Sequence, residues 1–353
     1  MRLASQPKGL FHLIAIQMWE FFSYYGMRSL LILFLTQKLL MTDHHAYALY
    51  GAYTSLVYVT PIIGGYLADR YFGNYWSVVI GALLMVAGHA VLSIPSVGNI
   101  SAAMKWGWHV GFALAGIGML VGLIIFSTGR RNFTHVKKCN KDALIQKSAG
   151  VPHWLIIIVL LALTAFGLVF VLKDLLAGYI LAVICAVSFY QIVALYRRSS
   201  PSDRSKLNSI LYFMIFGTVF WAFDQQGGSS ISLFIERNIN TDIFGFHIPT
   251  AFFQSVNPVA VIVGGGAVAW LWKVLASKSI SVRTLTKLNM GLLLLTAGFT
   301  LITISSKLAM NTGHTTFLWL FIGLFLIGVA ELFIDPVALA AITRLIYGKQ
   351  HTS

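Results

Sequence analysis

Glu20, Tyr24, Tyr25 and Arg28 stand within one hydrophobic stretch, in the run Glu20-Phe21-Phe22-Ser23-Tyr24-Tyr25-Gly26-Met27-Arg28-Ser29. The residues on either side, from Leu10 to Leu35, are otherwise lipid-like. An ionised side chain at bilayer depth costs roughly 2.5–3.5 kcal/mol on insertion scales unless it faces a wet or paired interior. Side chains kept there despite that cost bind a polar ligand, move a proton or pair with each other. On one helix, Glu20 and Arg28 are turned about 80° apart and separated by about 12 Å in height. Both can line one cavity without touching; a static charge pair is the competing reading.

The elements that must hold these groups are long apolar helices. The hydrophobic pattern predicts ten, at 10–37, 46–68, 75–95, 106–128, 153–172, 175–196, 208–235, 249–272, 285–305 and 316–343. Of the 353 residues 58% are hydrophobic and 10% charged, against about 25% charged in a soluble domain. Mean hydropathy is +0.79. The expected fold is all-α, a polytopic membrane helix bundle of about ten transmembrane helices.

The net charge of +14 fits the positive-inside rule better than nucleic acid. With the N-terminus in the cytoplasm, the inside segments hold 19 of the 25 basic residues. The outside segments hold five: Lys38, Lys105, Lys173, Arg237 and Lys307. That bias predicts an N-in, C-in topology with an even number of spans. The N-terminus lacks a signal-peptide cleavage pattern and is expected to stay attached as a helix. Cys139 and Cys185 form no metal or redox motif. There is no P-loop lysine motif, HExxH or nucleophile elbow, so no enzyme, ATP-driven pump, metal or organic cofactor is expected. His89, His109, His153 and His314 lie near predicted helix ends and are read as solvated, with no role.

Two further groups of residues add chemistry. The second helix closes as Gly64-Gly65-Tyr66-Leu67-Ala68-Asp69-Arg70-Tyr71-Phe72-Gly73-Asn74, which places Asp69 and Arg70 at the cytoplasmic rim before a tight turn. This resembles the G-x-L-A-D-R-x-x-G signature of the major facilitator superfamily of transporters, and implies a gating lock at Asp69 and Arg70. An ordinary helix-end salt bridge is the plainer alternative. The first helix, Gln17-Met18-Trp19-Glu20-Phe21-Phe22-Ser23-Tyr24-Tyr25-Gly26-Met27-Arg28, resembles the E-x-x-E-R-F-x-Y-Y-G-M-R segment of the proton-dependent oligopeptide transporter family. So do Phe220-Trp221-Ala222-Phe223-Asp224-Gln225-Gln226-Gly227-Gly228, Phe253-Gln254-Ser255-Val256-Asn257-Pro258 and Ala330-Glu331-Leu332-Phe333-Ile334-Asp335-Pro336.

That resemblance implies a major facilitator fold and symport of di- and tripeptides with protons across a bacterial cytoplasmic (inner) membrane. It implies proton coupling through Glu20, Asp224, Glu331 and Asp335. It implies a peptide pocket of Tyr25, Arg28, Tyr58, Trp221, Asn257 and Glu331. A zwitterionic peptide needs a cation for its carboxylate and an anion for its ammonium, and Arg28 and Glu331 suit those two tasks. Plainer readings stay open: Tyr24 and Trp221 as packing rings, Asp224 as the cap of a helix broken at Gly227-Gly228, Asn257-Pro258 as a kink.

The chain departs from the family pattern in three respects, two residues and its length. Position 17 is Gln where the pattern has Glu, and position 21 is Phe where it has Arg. The match also breaks between Pro95 and Trp106, where helices four and five of the family are expected to be missing, together with a lysine used at the peptide carboxylate. Helices eleven and twelve are likewise expected to be absent. The implied organisation is a shortened N-terminal bundle over 1–128, basic loops with an inserted helix pair over 129–206, and a shortened C-terminal bundle over 207–353. The alternative function is a degenerate remnant that no longer transports.

Overall fold

The architecture is that of a computed structural model, which describes residues 8–93, 108–133, 138–148, 151–159, 162, 176–243, 245–280 and 282–347. The break expected at 95–106, and most of the helix expected over 153–172, lie outside the described residues. The chain divides into two compact units, Met1–Ile184 and Cys185–Ser353.

The first unit contains α1 (Lys8–Leu33), α2 (Asp43–Leu67), α3 (Gly73–Ser93) and α4 (Trp108–Thr128). Helix α5 (Leu176–Arg198) spans the boundary. The second unit contains α6 (Pro201–Asp224), α7 (Ser230–Asn238), α8 (Val256–Ser277), α9 (Thr284–Thr312) and α10 (Phe317–Tyr347). Among the described residues, six helical stretches are long and apolar enough to cross a membrane. One of them, Asp43–Ser93, is 51 residues long, enough for two passes of a core about 30 Å thick. Its two passes meet at Gly73, whose φ of 68° suits glycine and few other residues.

Sequence punctuation explains where several helices start and stop. Ser200 accepts from the Asp203 amide at 3.3 Å, with Pro201 opening α6 behind it. Gly313, at φ 81°, closes α9. The helix expected over 208–235 is not continuous. It leaves the α-helical path at Asp224, makes a 3-10 turn over Gln225–Gly228 and resumes at Ser230. The Gly227-Gly228 pair, poor in helix propensity, accounts for the break.

Packing in both units relies on missing side chains. In the first, α4 turns Gly118 and Gly122 toward α1. A Cβ on Gly118 would stand 2.7 Å from the Phe22 ring, and one on Gly122 would stand 2.6 Å from Trp19 Cβ. In the second, α9 buries Leu288, Gly291, Leu295, Gly298, Ile302, Ser305 and Ala309. These alternate by three and four residues, a heptad seam of the kind that packs helices side by side at a small crossing angle. Gly298 of α9 meets Gly323 of α10 so closely that a Cβ on either would sit within 2.8 Å of the other's carbonyl oxygen. Lipid offers no hydrophobic drive between helices, so close backbone approach of this kind supplies the attraction.

The seam makes a testable claim. Gly298→Leu should destabilise the second unit by about 1–3 kcal/mol, since backbone must move to admit the side chain. Gly266→Ala, with nothing within 4 Å of the added methyl, should be neutral or stabilising by up to about 1 kcal/mol. Thermal unfolding of the purified protein in detergent checks both, and equal unfolding temperatures for the two variants would refute the seam.

Candidate functional site

In the first unit the site is built on α1 and α2. Arg28 is 3% exposed and donates from Nε to the Tyr50 hydroxyl on α2 at 2.7 Å. Its guanidinium carbon stands 5.6 Å from the centre of the Tyr25 ring, within cation–π range. Tyr24 and Tyr25 meet edge to face at 5.2 Å, and Tyr24 packs against the Met27–Phe112–Ala115 cluster. The packing role for Tyr24 is therefore real. Tyr58, on α2, is 56% exposed. Glu20 is half-buried and accepts from Gln17 Nε2 at 2.7 Å, one turn back on α1. Substituting Gln for an acid at position 17 thus leaves a donor beside Glu20 where a second carboxylate would repel it.

At the rim, Asp69 and Arg70 lie in a π-helical turn over Ala68–Phe72 that ends at Gly73. Such turns insert a residue into the ladder and re-aim side chains. Arg70 donates to the Tyr66 hydroxyl at 3.0 Å and lies 5.9 and 5.8 Å from the Tyr66 and Tyr71 ring centres. Both members of the motif are exposed.

In the second unit three helices bring polar groups together. Asp224 is buried and accepts from Asn257 Nδ2 at 3.1 Å. It makes no side-chain cap on the broken helix, which sets aside the capping alternative. Pro258 falls in the first turn of α8 rather than in its middle, so Asn257-Pro258 starts a helix and does not kink one. Just ahead of it, Gln254 donates to Ser232 Oγ at 2.8 Å and to the Gly227 carbonyl, fastening the broken segment to α8. Helix α10 reaches the same place through Gly328, where a Cβ would stand 2.8 Å from both Ala260 Cβ and the Asn257 carbonyl oxygen. Half-buried Glu331 is three residues further along α10, and exposed Asp335 one more turn beyond. Trp221 is half-buried, packs against the core of this unit and meets Phe220 edge to face at 5.6 Å. Next to Glu331, Leu332 joins Phe213, Val268, Trp272 and Pro336 in lining a cleft of about 620 Å³, with Lys287 Nζ 4.4 Å above the Trp272 ring.

Two participants escape the sequence reading. Tyr50 carries no motif; only its position one turn before Thr54 on a predicted helix distinguishes it. His89 is the clearer correction. It is 5% exposed, not solvated, and its Nε2 lies 2.7 Å from Ser23 Oγ. Burial follows from α4, whose Gly116 lies so close that a Cβ there would sit 3.0 Å from His89 Cβ. The available signal was Ser23, a small polar residue in the middle of the α1 motif with no partner nearby in sequence.

Residues 75–351 match the POT family. A peptide transporter of Yersinia enterocolitica is 26% identical over 422 aligned positions, spanning 96% of this chain and 82% of that protein. A di-/tripeptide transporter of Lactococcus lactis is 25% identical over 417 positions, spanning 96% of this chain and 84% of that protein. Among solved structures, a mutant of the peptide transporter POT in complex with sulfate superposes with a TM-score of 0.79 at 26% identity, covering 98% of this chain and 84% of that one. Both alignments are longer than the 353 residues of the chain, so each relative carries internal segments missing here, in keeping with the expected internal loss.

The Arg28–Tyr50 bond can be tested directly. Tyr50→Phe removes an acceptor from a buried cation and should destabilise the protein by about 1–3 kcal/mol. A thermal unfolding midpoint equal to that of the parent in detergent would show that this bond does not hold Arg28.

Proposed function

The chain belongs to the POT family, and from that membership we propose that it carries di- and tripeptides together with protons across a bacterial cytoplasmic membrane. The membership itself makes it a multi-pass membrane transporter and not an enzyme. The family match over 75–351 supports the reading most, and the relatives named as peptide transporters align with nearly all of the chain. The charge bias of the connecting segments supports placing both ends in the cytoplasm.

In this reading Arg28 takes the peptide carboxylate. It cannot deprotonate, Tyr50 fixes its Nε, and its terminal nitrogens form a fork suited to two carboxylate oxygens. Glu331 takes the ammonium. Tyr25, Tyr58, Trp221 and Asn257 bound the ligand, and apolar walls with adaptable water admit varied side chains. Glu20, Asp224, Glu331 and Asp335 are the coupling carboxylates, and Asp69 with Arg70 gates the cytoplasmic side. The reading as a transport-inactive remnant is not favoured. The buried Arg28 and Asp224 both keep hydrogen-bonded partners on neighbouring helices, an arrangement that simple bundle packing does not require.

Proteoliposomes holding the purified chain should take up a labelled dipeptide when an inward proton gradient is imposed, and unlabelled dipeptides should compete. Arg28→Ala and Glu331→Ala should each lower that uptake at least tenfold, about 1.4 kcal/mol of lost stabilisation. Inserted parent protein without gradient-driven uptake would end the proposal. Glu20→Gln with uptake still driven by pH would move coupling to Asp224, Glu331 and Asp335.

A further inference from the structure

Resting on the transport reading, we propose that His89, held by Ser23, is a proton-carrying residue of the first unit that works in series with Glu20. The imidazole is buried within the α1–α3–α4 contact, 2.7 Å from a serine that is itself 0% exposed. Its other ring nitrogen, Nδ1, is buried and has no hydrogen-bond partner. A buried donor left over costs more than a buried acceptor left over. The favoured neutral form therefore carries its proton on Nε2, donating to Ser23 Oγ. The serine hydroxyl hydrogen can turn back to a carbonyl of the preceding turn. Nδ1 is then a basic lone pair with nothing bound to it.

Helix geometry places Ser23, the partner of this ring, close to the proposed coupling carboxylate. Ser23 is three residues after Glu20, a rise of about 4.5 Å along α1. Glu20 is half-buried and His89 is buried, so Glu20, Ser23 and His89 form a row leading inward. The titratable or charged groups on the helices packed against His89 are Lys8, His12, Glu20, Tyr24, Tyr25 and Arg28 on α1 and His109 on α4. The Tyr24 hydroxyl, one residue from Ser23, is likewise buried without a partner. At the ring itself α4 offers Gly116. No fixed countercharge on α4 therefore holds the imidazole in either state. Histidine is the one side chain whose ordinary titration falls between pH 5 and 8. The step is a simple transfer: a proton delivered by water or by the Glu20 carboxyl binds Nδ1, the ring becomes imidazolium, and the same proton leaves from Nδ1 when the ring is wetted again.

The test uses the full chain with its histidines ¹⁵N-labelled, and His89→Gln to identify the His89 signals. Gln keeps a polar group within reach of Ser23 but cannot take a proton near neutral pH. The ring nitrogens of His89 should titrate between pH 5 and 8. In proteoliposomes, His89→Gln should lower gradient-driven dipeptide uptake at least tenfold and flatten its pH profile, while dipeptide exchange without a gradient falls less. His314→Gln, an exposed site, serves as the control and should match the parent. A His89 ring that keeps one protonation state across that range overturns the inference, whether or not the chain transports. A pH profile in His89→Gln equal to the parent's overturns it too. Ser23→Ala, which leaves the imidazole in place, should shift the His89 titration; an unshifted titration would remove Ser23 from the proposal. A parent protein that shows no gradient-driven uptake counts against the transport reading alone, and the titration still decides for His89.

Discussion

A guanidinium set among hydrocarbon persists only where its hydrogens are taken up by the protein. Arg28 meets that condition by crossing from α1 to Tyr50 on α2, with the face of Tyr25 beside it. Much of the first unit follows from this. The two helices must approach closely enough for a 2.7 Å bond, and the residue next to Arg28, Met27, anchors the cluster with Phe112 and Ala115 of α4. Side-chain entropy that a long arginine loses on binding a ligand is already spent in the fold, so in the proposed role the cation meets a carboxylate without further ordering.

Glycine does for the helices what Tyr50 does for Arg28. Gly118 and Gly122 let α4 receive Trp19 and Phe22, which flank Glu20 on α1. Gly328 lets α10 lean on the start of α8 at Asn257, whose side chain already holds Asp224. Asp224 and Asn257, on separate helices, are thereby held within hydrogen-bond distance beside a helix contact that glycine permits. Precision of this kind comes from close-packed backbone, which moves less than side chains do.

The sequence makes much of this legible because the strongest signals are chemical rather than periodic. Acidic and basic residues inside apolar runs are so costly that each marks a place worth reading, and Glu20 and Arg28 are found that way, while Asp224, Asn257 and Glu331 come from the family resemblance of their segments. Helix ends follow from the same logic, since Gly73, Gly313 and the Ser200-Pro201 pair punctuate otherwise uniform stretches. What stays hidden depends on rotation about a helix axis. Whether His89 faces lipid, water or Ser23 is fixed by how α3 is turned against α1 and α4, and one uniformly apolar helix contains no stripe from which to read that turn. The break after Asp224 is only one of the readings the sequence leaves open, for a different reason. A glycine pair in a membrane helix serves close packing as readily as a break, and the hydrogen bonds from Gln254 that favour the break come from a distant part of the chain.

In the proposed symport, the charge inventory gives a reason for protons to accompany the cargo. The residues proposed for the transport path include four carboxylates, Glu20, Asp224, Glu331 and Asp335, against one guanidinium, Arg28. A dipeptide zwitterion adds one charge of each sign and leaves that imbalance as it was. Ionising all four carboxylates in a medium that solvates charge poorly is unfavourable, and the least costly relief is to bind protons. Two of the four have amide donors, Gln17 for Glu20 and Asn257 for Asp224. An amide can donate to the carboxylate or accept from the carboxylic acid by turning over, so each pair tolerates both protonation states without moving a helix. A fixed cation at the same positions would favour only the ionised form. Gln17 in place of an acid, and Phe21 in place of a base, are then changes compatible with the proposed proton role of Glu20.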